Sequence, residues 1–383
     1  MYERIFKDNI KRILAKNSYI NAGLYTLLSA KSLSDMKLIC AEASQDDSIA
    51  DISWLKQFRK YIKNEKKRFY TTDCNFSNAH IYGIWQALFG DLGVDTIYTP
   101  SVEHGLIFHN QIFNDIEDTS RAACVTFGEF RRKIIRQYTK IPVFCVGPYI
   151  HYATSFYSEE KIKEERKKNG KTLLFFPRHS TNRDELKIEI ERYRKYLYSK
   201  QSDFDTILVN TFWWNINDPL TDALKADGYR IVSAGFRDDI MFMRRLKTII
   251  KMSDFAIGDS IGTHVGYCIH LGVPFCYEPL GSYNITKIVK EKKDYDFCTN
   301  HINNIANAFT HSQMINDVQR EICNYYWGEQ KIKSKEEIVE IVEITREIMK
   351  YSHGWGKKNS DVTKKLLNTL SGKKLELLKD AII

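Results

Sequence analysis

From about residue 96 onward, short apolar runs alternate with stretches whose apolar residues recur at i, i+3 and i+4. The first kind of segment suits a strand buried on both faces, the second an amphipathic helix. TIYTP (96–100) predicts a strand leading into the SVEHG turn, and AACVTFG (122–128) a strand ending in Gly. EFRRKIIRQYTK (129–140) predicts a helix and IPVFCVGPY (141–149) a buried strand. Helical patterning rich in Lys covers residues 1–70. After a charged run, SEEKIKEERKKNGK (158–171), read as a solvated helix and crossover, the alternation restarts. Strands are predicted in 171–180, 205–213, 229–235, 255–258 and 273–279, with helices in 184–200, 220–228, 239–254 and 263–271 between them. Strand–helix alternation of this kind implies parallel sheets covered on both faces, here in two doubly wound α/β units.

The tail is different. KSKEEIVEIVEITREIMK (333–350) has Ile and Val at helical spacing, and DVTKKLLNTLSGKKLELLKDAII (361–383) sets leucines between lysines. The expected organisation is a first unit over 1–155, a second over 156–330 and C-terminal helices over 331–383. Those helices would pack back on the first unit or rest on anionic lipid.

Composition narrows the partners. At 383 residues with 43% apolar content, the chain suits two globular units. A formal charge of +9 favours an anionic partner, and a phosphorylated small molecule suffices for so modest an excess. None of the eight cysteines forms C-x-x-C or a zinc-ligand spacing, so free thiols in a reducing compartment are expected. The N-terminus carries no apolar signal region and no stretch is long enough to span a bilayer, so a cytosolic protein is expected. The basic tail suits the inner face of the cytoplasmic membrane. No P-loop, no G-x-G-x-x-G and no RNA-recognition fingerprint occurs, and the positive charges scatter, so no nucleic-acid partner is expected. DFD (203–205) and DYD (294–296) read as solvated turns, and no metal or other cofactor is expected.

The candidate chemistry lies where strands end. DSIGTHVGYCIHLGVPF (259–275) follows the FAIG strand and opens a helix stopped by Gly272 and Pro274. Ser260, Gly262, Thr263 and His264 there stand beyond the carboxyl end of a strand, where backbone N–H groups and hydroxyls face an anion. Ser and Thr also cap helices whether or not anything binds. FFPRHSTNRDE (175–185) brings Arg178, His179 and Ser180 to the end of the unit's first strand, and GFRDD (235–239) adds Arg237. Three polar, partly cationic loops at strand ends favour a bound nucleotide or sugar phosphate. In the first half, TPSVEHGLIFHN (99–110) places Glu103 and His104 in a turn, where either would serve as general base toward a hydroxyl or simply be buried and bonded to backbone. His109 and Glu129 are secondary candidates.

EHG in a first-unit loop, VTFGEFRRKII…VFCVGPY near that unit's end, LLFFPRHS after a charged crossover and MSDFAIGDSIGTHVGYCIHLGVPFCYEP resemble bacterial glycosyltransferases of the two-Rossmann GT-B type. These enzymes build capsule, lipopolysaccharide or teichoic-acid chains, and the last element is similar to a segment shared by sialyl-, Kdo- and polyol-phosphate transferases. The resemblance spans about residues 95–280, with a shorter first unit and a different HG neighbourhood. It implies two Rossmann-like domains facing a cleft, a metal-independent reaction, and donor-phosphate contacts from Ser260, Gly262 and Thr263. Arg178, His179 and Ser180 would line the opposite wall, Glu278 would meet the nucleoside, and Glu103 or His104 would be the acceptor-side base. The implied partners are a nucleotide-sugar donor and a glycan or lipid-linked glycan acceptor. Two other readings stand beside it: a nucleotide-sugar epimerase of the same fold, and a basic nucleic-acid- or membrane-binding protein without enzymatic activity.

Overall fold

The computed structural model describes residues 49, 55, 81–94, 98–112, 122–179, 189–237, 239–281 and 292–382. The helical patterning expected over 1–70 therefore lies outside the described residues, apart from Ile49 and Leu55, as does Ser180 of the candidate set.

The first unit holds β1 (Ser101–Val102), β2 (Cys124–Thr126), α1 (Glu129–Tyr138) and β3 (Val143–Cys145), its strands parallel in the order β1-β2-β3. The expected strand at TIYTP (96–100) is displaced: the paired strand begins just beyond it, at Ser101. Pro100 has no N–H to give to a ladder, so pairing begins at Ser101, whose N–H donates to Ala123 O at 3.0 Å.

After α2 (Glu159–Asn169) the second unit runs β4 (Thr172–Phe176), α3 (Ile190–Tyr198), β5 (Thr206–Asn210), α4 (Pro219–Ala226), β6 (Arg230–Val232), α5 (Phe242–Lys251), β7 (Phe255–Gly258), α6 (Thr263–His270) and β8 (Phe275–Tyr277). Its sheet is parallel throughout, in the order β6-β5-β4-β7-β8. The order reverses between β4 and β7, and the crevice beyond that pair is where such sheets take ligands. Side chains alternate across this sheet as the two-residue period requires. Leu173, Phe175, Ile207, Val209 and Ile257 fill one face, while Leu174, Phe176, Leu208 and Ala256 fill the other. That second face shares a continuous core with Val125 and Phe144 of the first sheet.

Four helices and a fifth follow: α7 (Lys292–Phe309), α8 (Asp317–Trp327), α9 (Lys335–Trp355), α10 (Asn359–Leu366) and α11 (Gly372–Ile382). DYD is no solvated turn but the start of α7. Asp294 is 4% exposed and accepts from the amides of Asn110 and Gln111, both at 2.7 Å. The basic tail forms two helices, α10 and α11. Its last helix lies on the first unit: Arg132 pairs with Asp380 at 3.1 Å and Arg136 donates to Ile382 O at 2.7 Å. Lys374 reaches Glu343 and Glu340 on α9, so part of the tail's positive charge is matched within the protein. Among the described residues no helix is long and apolar enough to cross a membrane.

Backbone meets backbone where α8 ends. Gly328 has φ +71°, and a Cβ there would stand 2.2 Å from Phe127 O. Gly328→Ala is expected to lower stability by about 2–4 kcal/mol, combining a left-handed non-glycine residue with overpacking against main chain that has no rotamer to yield. Urea unfolding checks this; a loss below about 1 kcal/mol would show that the two segments separate freely.

Candidate functional site

β1 runs into the EHG turn, and one buried side chain holds that turn. Arg131 of α1, fully buried, donates to Glu103 Oε1 at 2.6 Å from Nη2 and to both carboxylate oxygens from Nε. It also donates to the carbonyls of Ile107, His109 and Gln111. Thr126 at the end of β2 gives its hydroxyl proton to Glu103 Oε2 at 2.7 Å. Glu103 is thus tied into the scaffold, and His104 follows it in the turn. His104 is half-buried, its ring 6.4 Å from that of Tyr82. Burial lowers its pKa below the ordinary 6.5; Glu103 opposes this and Arg237 adds to it.

Two residues further, Leu106 N–H donates to Thr263 Oγ1 at 3.0 Å, joining the first unit's turn to the start of α6. Gly105 lies against the same hydroxyl: a Cβ there would stand 3.5 Å from Thr263 Oγ1. Thr263 caps nothing. The helix is preceded by Gly262 in extended conformation with no side-chain cap bond, and Thr263 is the first helical residue. Its carbonyl accepts from Trp327 Nε1 at 3.0 Å. Ser260 is part-exposed at the same turn.

His264 turns into the core. It stacks on Phe176 with centroids 4.7 Å apart and meets Phe275 edge-on at 5.5 Å. Burial, with His179 adding to it, pushes its pKa down to about 3, against the backbone of Ser260. Its Nε2 is buried with no hydrogen-bond partner. A neutral, packed imidazole results.

The wall across from α6 begins at β4. Arg178 is buried and its Nη2 donates to Asp259 O at 2.6 Å, which fastens the β4 and β7 loops together. Asp259 is fully buried and accepts from the Tyr193 hydroxyl of α3. Burial raises the Asp259 pKa, with Tyr193 and Arg178 offsetting part of the rise. His179 is exposed and stacks on Phe212 after β5 at 4.3 Å. Arg237, from the loop after β6, accepts at its carbonyl from Tyr82 N–H and lies close enough to His104 to depress its pKa. Glu278 follows β8, where its N–H donates to Gly258 O at 2.9 Å and its side chain bonds the Tyr196 hydroxyl of α3.

The fold therefore brings His104, Arg237 and Thr263 to one place and Arg178 with the 259–262 turn beside it. His264 packs against Phe176 and Phe275, and Glu278 is bonded to Tyr196. Of the secondary candidates, Glu129 is paired with Arg132 and Lys331, and His109 accepts from Gln111 N–H beside the Arg131 network. Sequence reading gave no role to Arg131, Asp259 or Tyr193. Arg131 had a signal: it falls on the apolar stripe of its helix, three and four positions before Ile134 and Ile135, where a charge requires a buried partner. Among the described residues no group of three or more His, Cys, Asp or Glu converges as a metal site would.

This is an α/β protein of two all-parallel sheets whose strand-end loops meet. No family model and no curated protein matches its sequence. Among solved structures, the wall teichoic acid polymerase TagF is similar at TM-score 0.37 and 11% identity, covering 68% of this chain and 71% of that one. UGT89C1 of Arabidopsis thaliana is similar at TM-score 0.32 and 10% identity, covering 79% of this chain and 65% of that one. At those scores the likeness adds nothing to the class that the chain's own topology defines.

Proposed function

We propose that the protein is a GT-B glycosyltransferase that moves a sugar or polyol-phosphate group from a nucleotide-activated donor to a hydroxyl of a surface-glycan acceptor. The observation that carries this reading is the Leu106–Thr263 hydrogen bond, which seats the His104 turn of one unit against the anion-suited turn of the other. The second unit would take the donor, with its phosphate at Ser260, Gly262 and Thr263 and its nucleoside toward His179 and Glu278. The first unit would take the acceptor.

In this reading His104 is the base. Both Glu103 oxygens are engaged by Arg131 and Thr126. The His104 imidazole, its pKa lowered by burial, is neutral at neutral pH and would accept the proton of an attacking hydroxyl. Negative charge then grows on the departing phosphate. Arg178 and the N–H groups that open α6 are held before the reaction and would stabilise that charge without reorganising, with Arg237 adding positive charge nearby. No metal is assigned to the step. The basic end of the chain would work at the inner face of the cytoplasmic membrane, where such acceptors are assembled.

Thermal shifts with CMP, CDP, UDP and GDP test the donor site. A ligand at 100 times its dissociation constant adds about 2.7 kcal/mol to the native state. One nucleotide should raise the melting temperature of the wild type by several degrees, and Thr263→Ala or Arg178→Ala should reduce that rise. Absence of a shift with all four nucleotides, or full retention of it in both variants, would remove the assignment. Nucleotide sugars incubated without acceptor should not epimerise.

A further inference from the structure

Away from that site, three titratable side chains from three segments form one hydrogen-bonded chain. Glu329, in the turn after α8, meets His270 Nδ1 at the end of α6 at 2.6 Å. His270 Nε2 meets Nδ1 of His151, in the turn after β3, at 3.2 Å. We propose that this Glu329–His270–His151 chain is a pH-operated clasp, closed while the two imidazoles share one bridging proton and released when both are protonated.

Proton counting carries the argument. Glu329 accepts, so His270 presents N–H at Nδ1. Its Nε2 is then either an acceptor from His151 Nδ1–H or, with His270 charged, a donor to a bare His151 Nδ1. Each arrangement has a single proton between the rings. A first extra proton is accommodated, because His151 Nε2 takes it while Nδ1–H still donates to His270. A second places two N–H groups and two positive charges 3.2 Å apart, and the contact is lost. The surroundings resist that second proton. Lys247 of α5 donates its ammonium to the carbonyls of His151 and Ala153, and burial, His270 and Lys247 together lower the His151 pKa, with Glu329 opposing. On α8, the buried thiol of Cys323 lies near Glu329, with Arg320 on its own helix close to that thiol, and the Tyr152 ring stands edge-on to His151.

Three elements are held by the clasp: the end of the first unit, the helix that begins at Thr263, and the turn that ends α8 at Gly328. A group whose folded pKa is depressed binds fewer protons folded than unfolded, so stability is present above 6.5 and lost as pH falls below it. One such proton changes the folding equilibrium by up to tenfold per pH unit.

The test compares full-length wild type with His151→Phe, which keeps an aromatic ring on an exposed turn, and with His270→Asn. Urea unfolding and amide hydrogen exchange are measured from pH 7.5 to 5.0. Wild type should lose stability more steeply below pH 6.5 than either variant. Amides of 149–153 and 268–271 should exchange faster at pH 5.0, after correction for intrinsic rate, in wild type alone. Parallel pH profiles for wild type and His151→Phe, or unchanged protection at both segments, would overturn the clasp. Should His270→Asn fail to fold, His151→Phe decides the matter alone.

Discussion

Glu103→Ala is expected to cost about 3–5 kcal/mol of stability, because it leaves the fully buried Arg131 guanidinium without its counter-charge. The three carbonyls that Arg131 also reaches satisfy its hydrogens in part but not its charge. Removing the other partner, in Arg131→Met, strands a carboxylate that among the described residues keeps the Thr126 hydroxyl alone, and a similar loss follows. The double variant Glu103→Ala/Arg131→Met should recover a substantial part of the deficit, since neither charge is then left alone, and the non-additivity reports their coupling. Urea unfolding of the three variants measures this. Single variants within about 1 kcal/mol of wild type would mean that water reaches the pair.

His104→Asn is expected to reduce turnover by about 100- to 10,000-fold with little change in nucleotide affinity, the loss typical of a removed general base. A pH profile gives the second arm. The neutral imidazole is the active form and its pKa lies below 6.5, so wild-type activity should be level near neutrality and fall as pH drops through that lowered value. Glu103→Gln removes the nearby negative charge that favours the imidazolium, so the acid limb should move to still lower pH. Turnover unchanged in His104→Asn would refute the assignment of the base, and an acid limb moving upward in Glu103→Gln would refute the electrostatic account of His104.

The order of strands and helices was largely legible in the chain because burial imposes its own period. LLFF and TILV read as strands because both faces of a parallel sheet are covered, and β4 and β5 lie there. Where reading went astray, a longer-range partner outweighed local pattern. DYD looks like a polar turn until Asn110 and Gln111, more than 180 positions earlier, supply amides to Asp294. The candidate base pair in the EHG turn was legible as a pair, but that Glu103 is the one engaged depends on Arg131, 28 positions along the chain from it.

The amino-acid sequence by itself determined the alternation of elements, the two α/β units and the collection of hydroxyls and cations at strand ends, since these follow from side-chain period, turn chemistry and chain direction. Only the tertiary structure decided what those side chains do. Thr263 meets Leu106, 157 positions away, instead of capping its helix, and His264 packs between Phe176 and Phe275 instead of facing the cleft. Hydrogen-bond partners and burial are properties of the folded neighbourhood, and residues that share one are not neighbours along the chain.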